Sequence, residues 1–461
     1  MKTLIDPRNA LSQGLAALRV RFKVPEGFPP EVVAAAQVAA QRAPSEHVDR
    51  TERPFVTLDP ASSTDLDQAF AIEASGADLL LHYAIADVSW FVRDGDLLDV
   101  EAWKRGATLY LPDGKASLYP RELSEGAASL LPSGPRPAVV FTVRVDPDGE
   151  ASLDGAERAI IRSVAKLGYE QVTAAELPAG FAELAERVRA AEARRGASRV
   201  DPPEQEVARL DDGRLQLRFR PRTQAEDQNA ALSLATNLAI AQVLLAHRTG
   251  LFRVMPEPDA RAVGRLRQTA RAFGLEWPDM ASLAQYELTL DPGEPKQAAF
   301  MMAIRRASTA ASYVPYTPGE IPWHAAMAAT YAHATAPLRR LADRYVVDTV
   351  LAIANGRPAP PAATLAFAKL PKVMARADNQ AGQIDRVVID MAEAAMLQGQ
   401  IGEAFEAVVT DIDERGARMQ LCELPVVARV TAHKVEVGER LVVRLTAADP
   451  AQGTAQFERV A

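Results

Sequence analysis

The sequence predicts an α+β protein: a mixed, largely antiparallel sheet followed by a large helical mass, with a short helical region before it and a small β-barrel after it. Three observations lead there. Apolar, strand-like runs broken by turn residues fill 54–145, a long apolar helix ends at Gly250, and residues 401–461 fall into short runs separated by turns. A chain of 461 residues exceeds one compact core, and the changes of character place boundaries at 1–45, 46–400 and 401–461.

Residues 1–45 read as helix. PPEVVAAAQVAAQRA opens on two prolines and an acid and carries small apolar residues at helical spacing, and ALSQGLAALRVRF before it reads as a second helix. The pair is either an arm packed on the main domain or a helical nucleic-acid-binding module. From residue 54, PFVTL is a strand ending at Asp59, DLLLHYAIADVSWFV is a buried strand or strand pair, and PAVVFTVRVDPDGE runs into a Pro-Asp-Gly turn. GYEQVTAAE and GFAELAERVRAAEARRGA read as helices, the second ending on Gly196. RLQLRFRPR alternates like a strand, and QNAALSLATNLAIAQVLLAHRTG reads as a buried helix. Helical periodicity continues over 259–273, 296–312, 336–354 and 362–399, with the Pro-rich NGRPAPP as a connection. GEAFEAVVTDIDERGARMQL, PVVARVTAH and GERLVVRLTAADPAQGTAQFERV then supply the strands of the barrel.

The single cysteine, Cys422, excludes an intramolecular disulfide and fits a reducing compartment. No stretch approaches 18 uninterrupted apolar residues. Asp6 and Pro7 interrupt the N-terminus before a signal-peptide core can form. A soluble, cytoplasmic, monomeric protein without a membrane span is expected. The net charge of −8 argues against a broadly basic nucleic-acid surface. Net charge averages over surfaces that a substrate in a channel never meets, however. Local basic clusters do occur: Arg214, Arg218, Arg220 and Arg222 alternate along one segment, and Arg339 and Arg340 are adjacent.

LDPASSTDLDQAF places Asp59, Asp65 and Asp67 in one Ser/Thr-rich loop. Converging carboxylates are hard oxygen ligands suited to Mg²⁺ or Mn²⁺, and they repel one another unless a cation or protons intervene. Three aspartates in a loop are also the ordinary composition of a solvated turn. The glycine and terminal glutamate of an EF-hand are missing at the required spacing.

This loop resembles the acidic signature of the ribonuclease II (RNB) family, and other segments resemble the family's blocks in the family's order. They are HYAIADVSWFV with Asp87, GATLYLPDGKASLYPRELSEGAASLLPSGPRPAVVF, ERAIIRSVAKLGYEQV, and YAHATAPLRRLADRYV. The resemblance covers about residues 46–400 and implies a 3′→5′ exoribonuclease that hydrolyses single-stranded RNA to nucleoside 5′-monophosphates. It implies Mg²⁺, with Mn²⁺ as the alternative, held by Asp59, Asp65, Asp67 and Gln68. Asp67 is then the aspartate central to the chemistry, and Arg339 clamps the scissile phosphate, a task suited to a planar, permanently charged guanidinium. Tyr110 matches the tyrosine that stacks on the RNA 3′ end and Tyr169 the one that orients it. Arg340, Asp385 and Arg418 complete the RNA contacts, and His333 is structural. Taken without the resemblance, Arg339–Arg340 reads as a helix-surface ion pair and the tyrosines as core residues.

Several positions depart from the family. Gln68 stands where a fourth aspartate is expected and brings a carbonyl without charge. Val200 replaces a phenylalanine of the base clamp, and Ala230 and Ala231 stand where a 3′-end-contacting glutamate is expected. A looser grip on the last nucleotides follows. The final barrel resembles an OB-fold RNA-binding domain, in which Arg415, Arg418, Arg429, His433 and Lys434 are candidate phosphate contacts. Family members carry two cold-shock-type barrels before the nuclease domain, whereas residues 1–45 have no β pattern. A more open RNA entrance, tolerant of structured RNA, is therefore expected. Two rivals stand beside the enzyme: a catalytically impaired RNA-binding protein on the same fold, and a metal-dependent phosphoesterase of small substrates.

Overall fold

The computed structural model describes residues 10–197, 204–209, 215–220, 222–291, 294–307, 310–413, 416–422, 424, 426–431 and 434–460. Two helices open it, α1 (Ala10–Arg21) and α2 (Pro30–Ala40). Val32, Ala36 and Ala39 form the buried stripe of α2, at the i, i+4 and i+7 spacing of one helical face. Next come β1 (Val48–Asp49), β2 (Phe55–Asp59), β3 (Gln68–Ser75), β4 (Asp78–Ala86), α3 (Val88–Phe91) and α4 (Leu97–Arg105). The hairpin β5 (Leu109–Leu111) and β6 (Gly114–Ala116) precedes three strands, β7 (Arg136–Val145), β8 (Ala151–Ile161) and β9 (Ser163–Gly168).

Seven of these strands make one sheet in the order β1-β8-β7-β4-β3-β2-β9. The inner pairings are antiparallel, while β1 on β8 and β9 on β2 are parallel. DLLLHYAIADVSWFV divides between β4 and α3 because Asp87 caps the helix by accepting the Trp90 N–H. At the Pro-Asp-Gly turn, Gly149 has φ 76°, and the Arg187 backbone stands where a Cβ would lie, so a side chain there is excluded twice.

The helical mass begins with α5 (Phe181–Arg195), the hairpin β10 (Glu204–Arg209) and β11 (Leu215–Arg220), and α6 (Gln224–Ala246). By length and composition alone α6 is apolar enough to cross a membrane, but 67% of its apolar window is buried within the protein, as a core helix requires. It packs on β7, β8 and α5. Then follow β12 (Leu251–Val254), α7 (Ala260–Ala272), α8 (Leu283–Glu287), α9 (Pro295–Ala307), β13 (Ser312–Pro315), α10 (Leu341–Ala354), α11 (Pro361–Phe367) and α12 (Leu370–Leu397). The strands β14 (Ala404–Asp413), β15 (Gly416–Leu421), β16 (Val427–Thr431), β17 (Arg440–Asp449) and β18 (Thr454–Arg459) close into a barrel of the OB type. That barrel has its own apolar core and rests on α12.

Four expectations are corrected. GYEQVTAAE is a series of turns, because the Thr173 N–H and hydroxyl both donate to Glu176 at 2.8 Å and draw the backbone out of a helix. The helix predicted from 336 starts at Leu341, because the Leu338 N–H is committed elsewhere and Arg340 is extended. The helix predicted over 362–399 breaks before Pro371, whose ring starts α12. The one predicted over 296–312 stops at Ala307, and Ser312 already belongs to β13. Val200, Arg214, Arg415 and His433 lie outside the described residues.

The block that carries Arg339 is pinned to α4 by Arg344. This side chain is 1% exposed and donates to Asp99 Oδ1 and to the Tyr345 hydroxyl, each at 2.6 Å. Arg344→Ala leaves Asp99 buried without its cation and is expected to lose about 3–5 kcal/mol of unfolding free energy in urea titrations. A loss below about 1 kcal/mol would show that the pair is dispensable.

Candidate active site

The acidic loop is strung between two paired strands. Asp59 ends β2 and Gln68 begins β3, and the intervening turn is tied down by Ser129, whose Oγ accepts the Leu66 N–H at 2.9 Å and donates to the Thr64 carbonyl at 2.8 Å. Asp67, 5% exposed, accepts the Leu338 N–H at 2.7 Å and lies 3.3 Å from Arg339 Nε. Arg339 itself is half exposed. One carboxylate thus joins the β2–β3 loop to the segment before α10. Arg340 holds the far side of that segment: it donates to both oxygens of Asp343, at 3.0 and 2.7 Å, and Asp343 also accepts the Ala336 N–H.

Burial pushes the Asp59 and Asp67 carboxyls up to about 7. The Arg339 charge pulls both back down, and the neighbouring Asp65 charge adds to both rises. Asp59 Oδ2 is buried and has no hydrogen-bond partner among the described residues.

The other two expected ligands are engaged by the protein. Lys115 Nζ donates to Asp65 Oδ1 at 2.7 Å and also reaches Glu125, and the Tyr110 hydroxyl donates to Asp65 Oδ2 at 3.1 Å. Gln68 Oε1 accepts the Tyr83 hydroxyl at 2.5 Å, and Ser233 Oγ lies 3.3 Å from the same oxygen. Among the described residues no group of three or more His, Cys, Asp or Glu stands close enough to hold a metal ion. The predicted four-donor set is therefore not assembled, because an ammonium and two phenols occupy two of its members, with a serine hydroxyl beside the second. The donors that are left do fit a cation. Asp59 offers an unpartnered buried oxygen and Asp67 a carboxylate balanced only by Arg339 and an N–H, and Mg²⁺ commonly uses one or two carboxylates and completes its shell with water and phosphate.

A cavity of about 620 Å³ opens beside these groups, lined by Asp59, Gln68, Tyr169, Asn229, Arg339 and Arg340 among others. The Tyr169 hydroxyl accepts Asn229 Nδ2 at 2.9 Å, which fixes the ring at the cavity wall. Tyr110 is half exposed on the β5–β6 hairpin above Asp65. Ala230 lines the cavity and Ala231 is buried, while Glu226 and Asp227, one turn earlier on α6, bring carboxylates to the same wall. Asp385 is exposed on α12 and is not among the lining residues. The charge of Arg418 bears on Asp390 of α12, so it faces the helix beneath the barrel. His333 is half-buried, with Nδ1 2.8 Å from the Tyr313 hydroxyl, and desolvation pushes it well below the usual imidazole range. Asp87 is tied to His47 at 3.1 Å and Arg158 at 2.8 Å, in a buried cluster outside the cavity lining. Lys115, Tyr83, Ser233 and Asn229 were not singled out in the sequence. Lys115 and Tyr83 lie inside family-like blocks, but nothing local ties any of the four to the acidic loop.

Comparison with known proteins decides the family. The RNB domain profile matches residues 47–355, and the profile of the RNase II-type exonuclease C-terminal S1 domain matches 403–460. The chain belongs to the RNB family. It is 27% identical to ribonuclease R of Aquifex aeolicus, over 87% of this chain and 61% of that protein. It is 26% identical to ribonuclease R of Thermotoga maritima, over 89% and 62%. The chain therefore spans about six tenths of the length of these relatives. The fold superposes on Mycoplasma genitalium RNase R, solved in complex with ribose-methylated single-stranded RNA, with a TM-score of 0.86 at 20% identity, covering 100% of this chain and 79% of that one. It also resembles yeast Ssd1, a pseudonuclease, with a TM-score of 0.68 at 16% identity over 96% and 59%.

The raised carboxyls of this RNB site have a consequence for stability. Their folded-state pKa lies above the ordinary 3.8, so their contribution is fully present below that value and is lost as pH rises through about 7. Asparagine at 67 removes one such group. In EDTA, the melting temperature of Asp67→Asn relative to the unsubstituted protein is expected to rise between about pH 5 and about pH 8, followed by calorimetry. A difference that does not change with pH would contradict the assigned burial.

Proposed function

We propose that this chain is a divalent-metal-dependent 3′→5′ exoribonuclease that hydrolyses single-stranded RNA to nucleoside 5′-monophosphates. The observation that carries the reading is the Asp67–Arg339 pair beside Asp59 at the head of a polar cavity, in a chain of the RNB family. Arg339 presents a half-exposed, permanently charged guanidinium to a phosphate that gains negative charge in the transition state. Tyr110 offers an exposed ring for stacking on a base, and stacking is indifferent to base identity. Tyr169, held by Asn229, orients the 3′ end within the cavity. Exoribonucleases of this family generally depend on a divalent metal, and Asp59 and Asp67 are the residues that would hold it here. Mg²⁺ is the first choice because every donor offered is a hard oxygen, with Mn²⁺ as the alternative. Such an ion supplies a bound water of lowered pKa and charge for the phosphodiester oxygens.

A second reading has one specific observation in its favour. Two of the four expected ligands are engaged by the protein, and the same fold occurs in a pseudonuclease, so an RNA-binding protein without turnover is the rival. Digestion of 5′-labelled poly(A) with and without metal separates the readings. Stepwise shortening from the 3′ end with release of 5′-monophosphates is expected only with Mg²⁺ or Mn²⁺. Asp67→Asn is expected to abolish release while still binding RNA, and Arg339→Ala to slow it on the order of a hundredfold. RNA binding without metal-dependent release would establish the rival. Hydrolysis of small esters without salt-sensitive RNA binding would overturn both.

A further inference from the structure

Gln68 stands at the position of the fourth family carboxylate, and its surroundings give it a different task. It is 7% exposed and begins β3, on the same sheet face as Tyr83 of β4. The Tyr83 hydroxyl lies 2.5 Å from Gln68 Oε1 and 2.5 Å from Ser233 Oγ of α6, and Ser233 Oγ lies 3.3 Å from the same Oε1. Burial raises the Tyr83 phenol far above its ordinary range, so it keeps its proton and has one to give. The hydrogens then run in one direction, from the Ser233 hydroxyl to Tyr83 Oη and from the Tyr83 hydroxyl to Gln68 Oε1. The amide carbonyl is thereby occupied on the protein side. The hydrogen bonds described for the Gln68 side chain both fall on Oε1, and Gln68 lines the cavity with Arg339. A carboxamide held by its oxygen presents an N–H₂ group to that space, and a donor there attracts anions and repels cations.

We propose that Gln68 is not a metal ligand but a hydrogen-bond donor to a non-bridging oxygen of the RNA phosphate held by Arg339, oriented by Tyr83 and Ser233. The inference deepens the exoribonuclease reading and rests on it for the identity of the anion. It also assigns the cation to Asp59 and Asp67 alone. A neutral donor beside Arg339 recognises the phosphate without adding charge, whereas an aspartate in its place would draw a further cation.

The test compares the unsubstituted protein with Gln68→Ala and Tyr83→Phe in two assays that need no turnover. Mn²⁺ binding without RNA is read by electron paramagnetic resonance of the free ion. Binding of a 5′-labelled single-stranded RNA is read in EDTA, with an ordinary phosphate or with each phosphorothioate diastereomer at the 3′-terminal linkage. Gln68→Ala is expected to keep the Mn²⁺ affinity within about twofold and to weaken RNA binding roughly tenfold or more, the weight of a hydrogen bond to a charged group. One diastereomer should weaken binding to the unsubstituted protein and make no difference to Gln68→Ala. Tyr83→Phe loses only a hydroxyl, which guards against a misfolded Gln68→Ala, and should show a smaller loss in RNA binding with a reduced sulfur effect. A tenfold or greater fall in Mn²⁺ affinity in Gln68→Ala with RNA binding unchanged would make Gln68 a ligand and overturn the proposal. Unchanged binding of both Mn²⁺ and RNA would overturn it too. If the unsubstituted protein releases no nucleotides, the exoribonuclease reading fails by itself, and the binding assays still decide the role of Gln68.

Discussion

The site depends on one buried carboxylate that two distant segments share. Asp67 comes from the β2–β3 loop, and its partners, the Leu338 N–H and the Arg339 guanidinium, come from the segment before α10, 271 residues further along the chain. A carboxylate withdrawn from water is stable only with a cation or strong donors beside it. That requirement places Arg339. The segment that carries Arg339 is braced in turn, because Asp343 receives both Arg340 and the Ala336 N–H while Arg344 anchors the next turn of the helix on Asp99. The three charges of the Arg339–Arg340–Arg344 run therefore do different work: the second and third hold the helix, and the first is left at the cavity.

The same electrostatic constraint separates the four acidic-loop positions. Four close carboxylates without counter-charge repel one another, and the protein relieves this in three ways. Asp65 is given to Lys115, Asp67 faces Arg339, and position 68 carries no charge at all. Asp59 is the residue left with a bare buried oxygen, and for that reason it and Asp67 remain the pair with most to gain from a bound cation.

The architecture was legible in the sequence where a single pattern governs it. Alternation and turn residues gave PFVTL and the strand ending at Pro-Asp-Gly, helical spacing gave α2 and α5, and the barrel strands follow their turns. Failures occurred where a side chain competes with the backbone, as Glu176 does at Thr173, or where a remote carboxylate takes an N–H, as Asp67 does at Leu338. In the site, the family-like order of blocks singled out Asp59, Asp67, Arg339 and Tyr169, and all four prove to be neighbours. The different fates of Asp65 and Gln68 were not legible. They are set by Lys115 and by Tyr83 with Ser233, and the contact with Ser233 spans 165 residues. No local spacing rule reaches across such a distance.

The acidic net charge would be awkward for the proposed RNA substrate only if it described the field at the cavity, and a sum over the whole surface does not. Carboxylates also pair with arginines, Asp87 with Arg158, Asp99 with Arg344 and Asp343 with Arg340 in the interior and Asp78 and Asp154 with Arg144 at the surface, but such pairs leave the overall excess almost unchanged. Neutral and buried pairs contribute little to the field outside the protein. What a phosphate would meet at the proposed site is set by the groups that line the cavity. At one corner a half-exposed arginine, two carboxyls that burial makes reluctant to ionise, and a neutral amide stand together, while Glu226 and Asp227 face the same space from α6. With Asp59 and Asp67 protonated or neutralised by a cation, that corner is locally positive, and in the proposed function it is this local balance, not the sum over the chain, that would admit a phosphate.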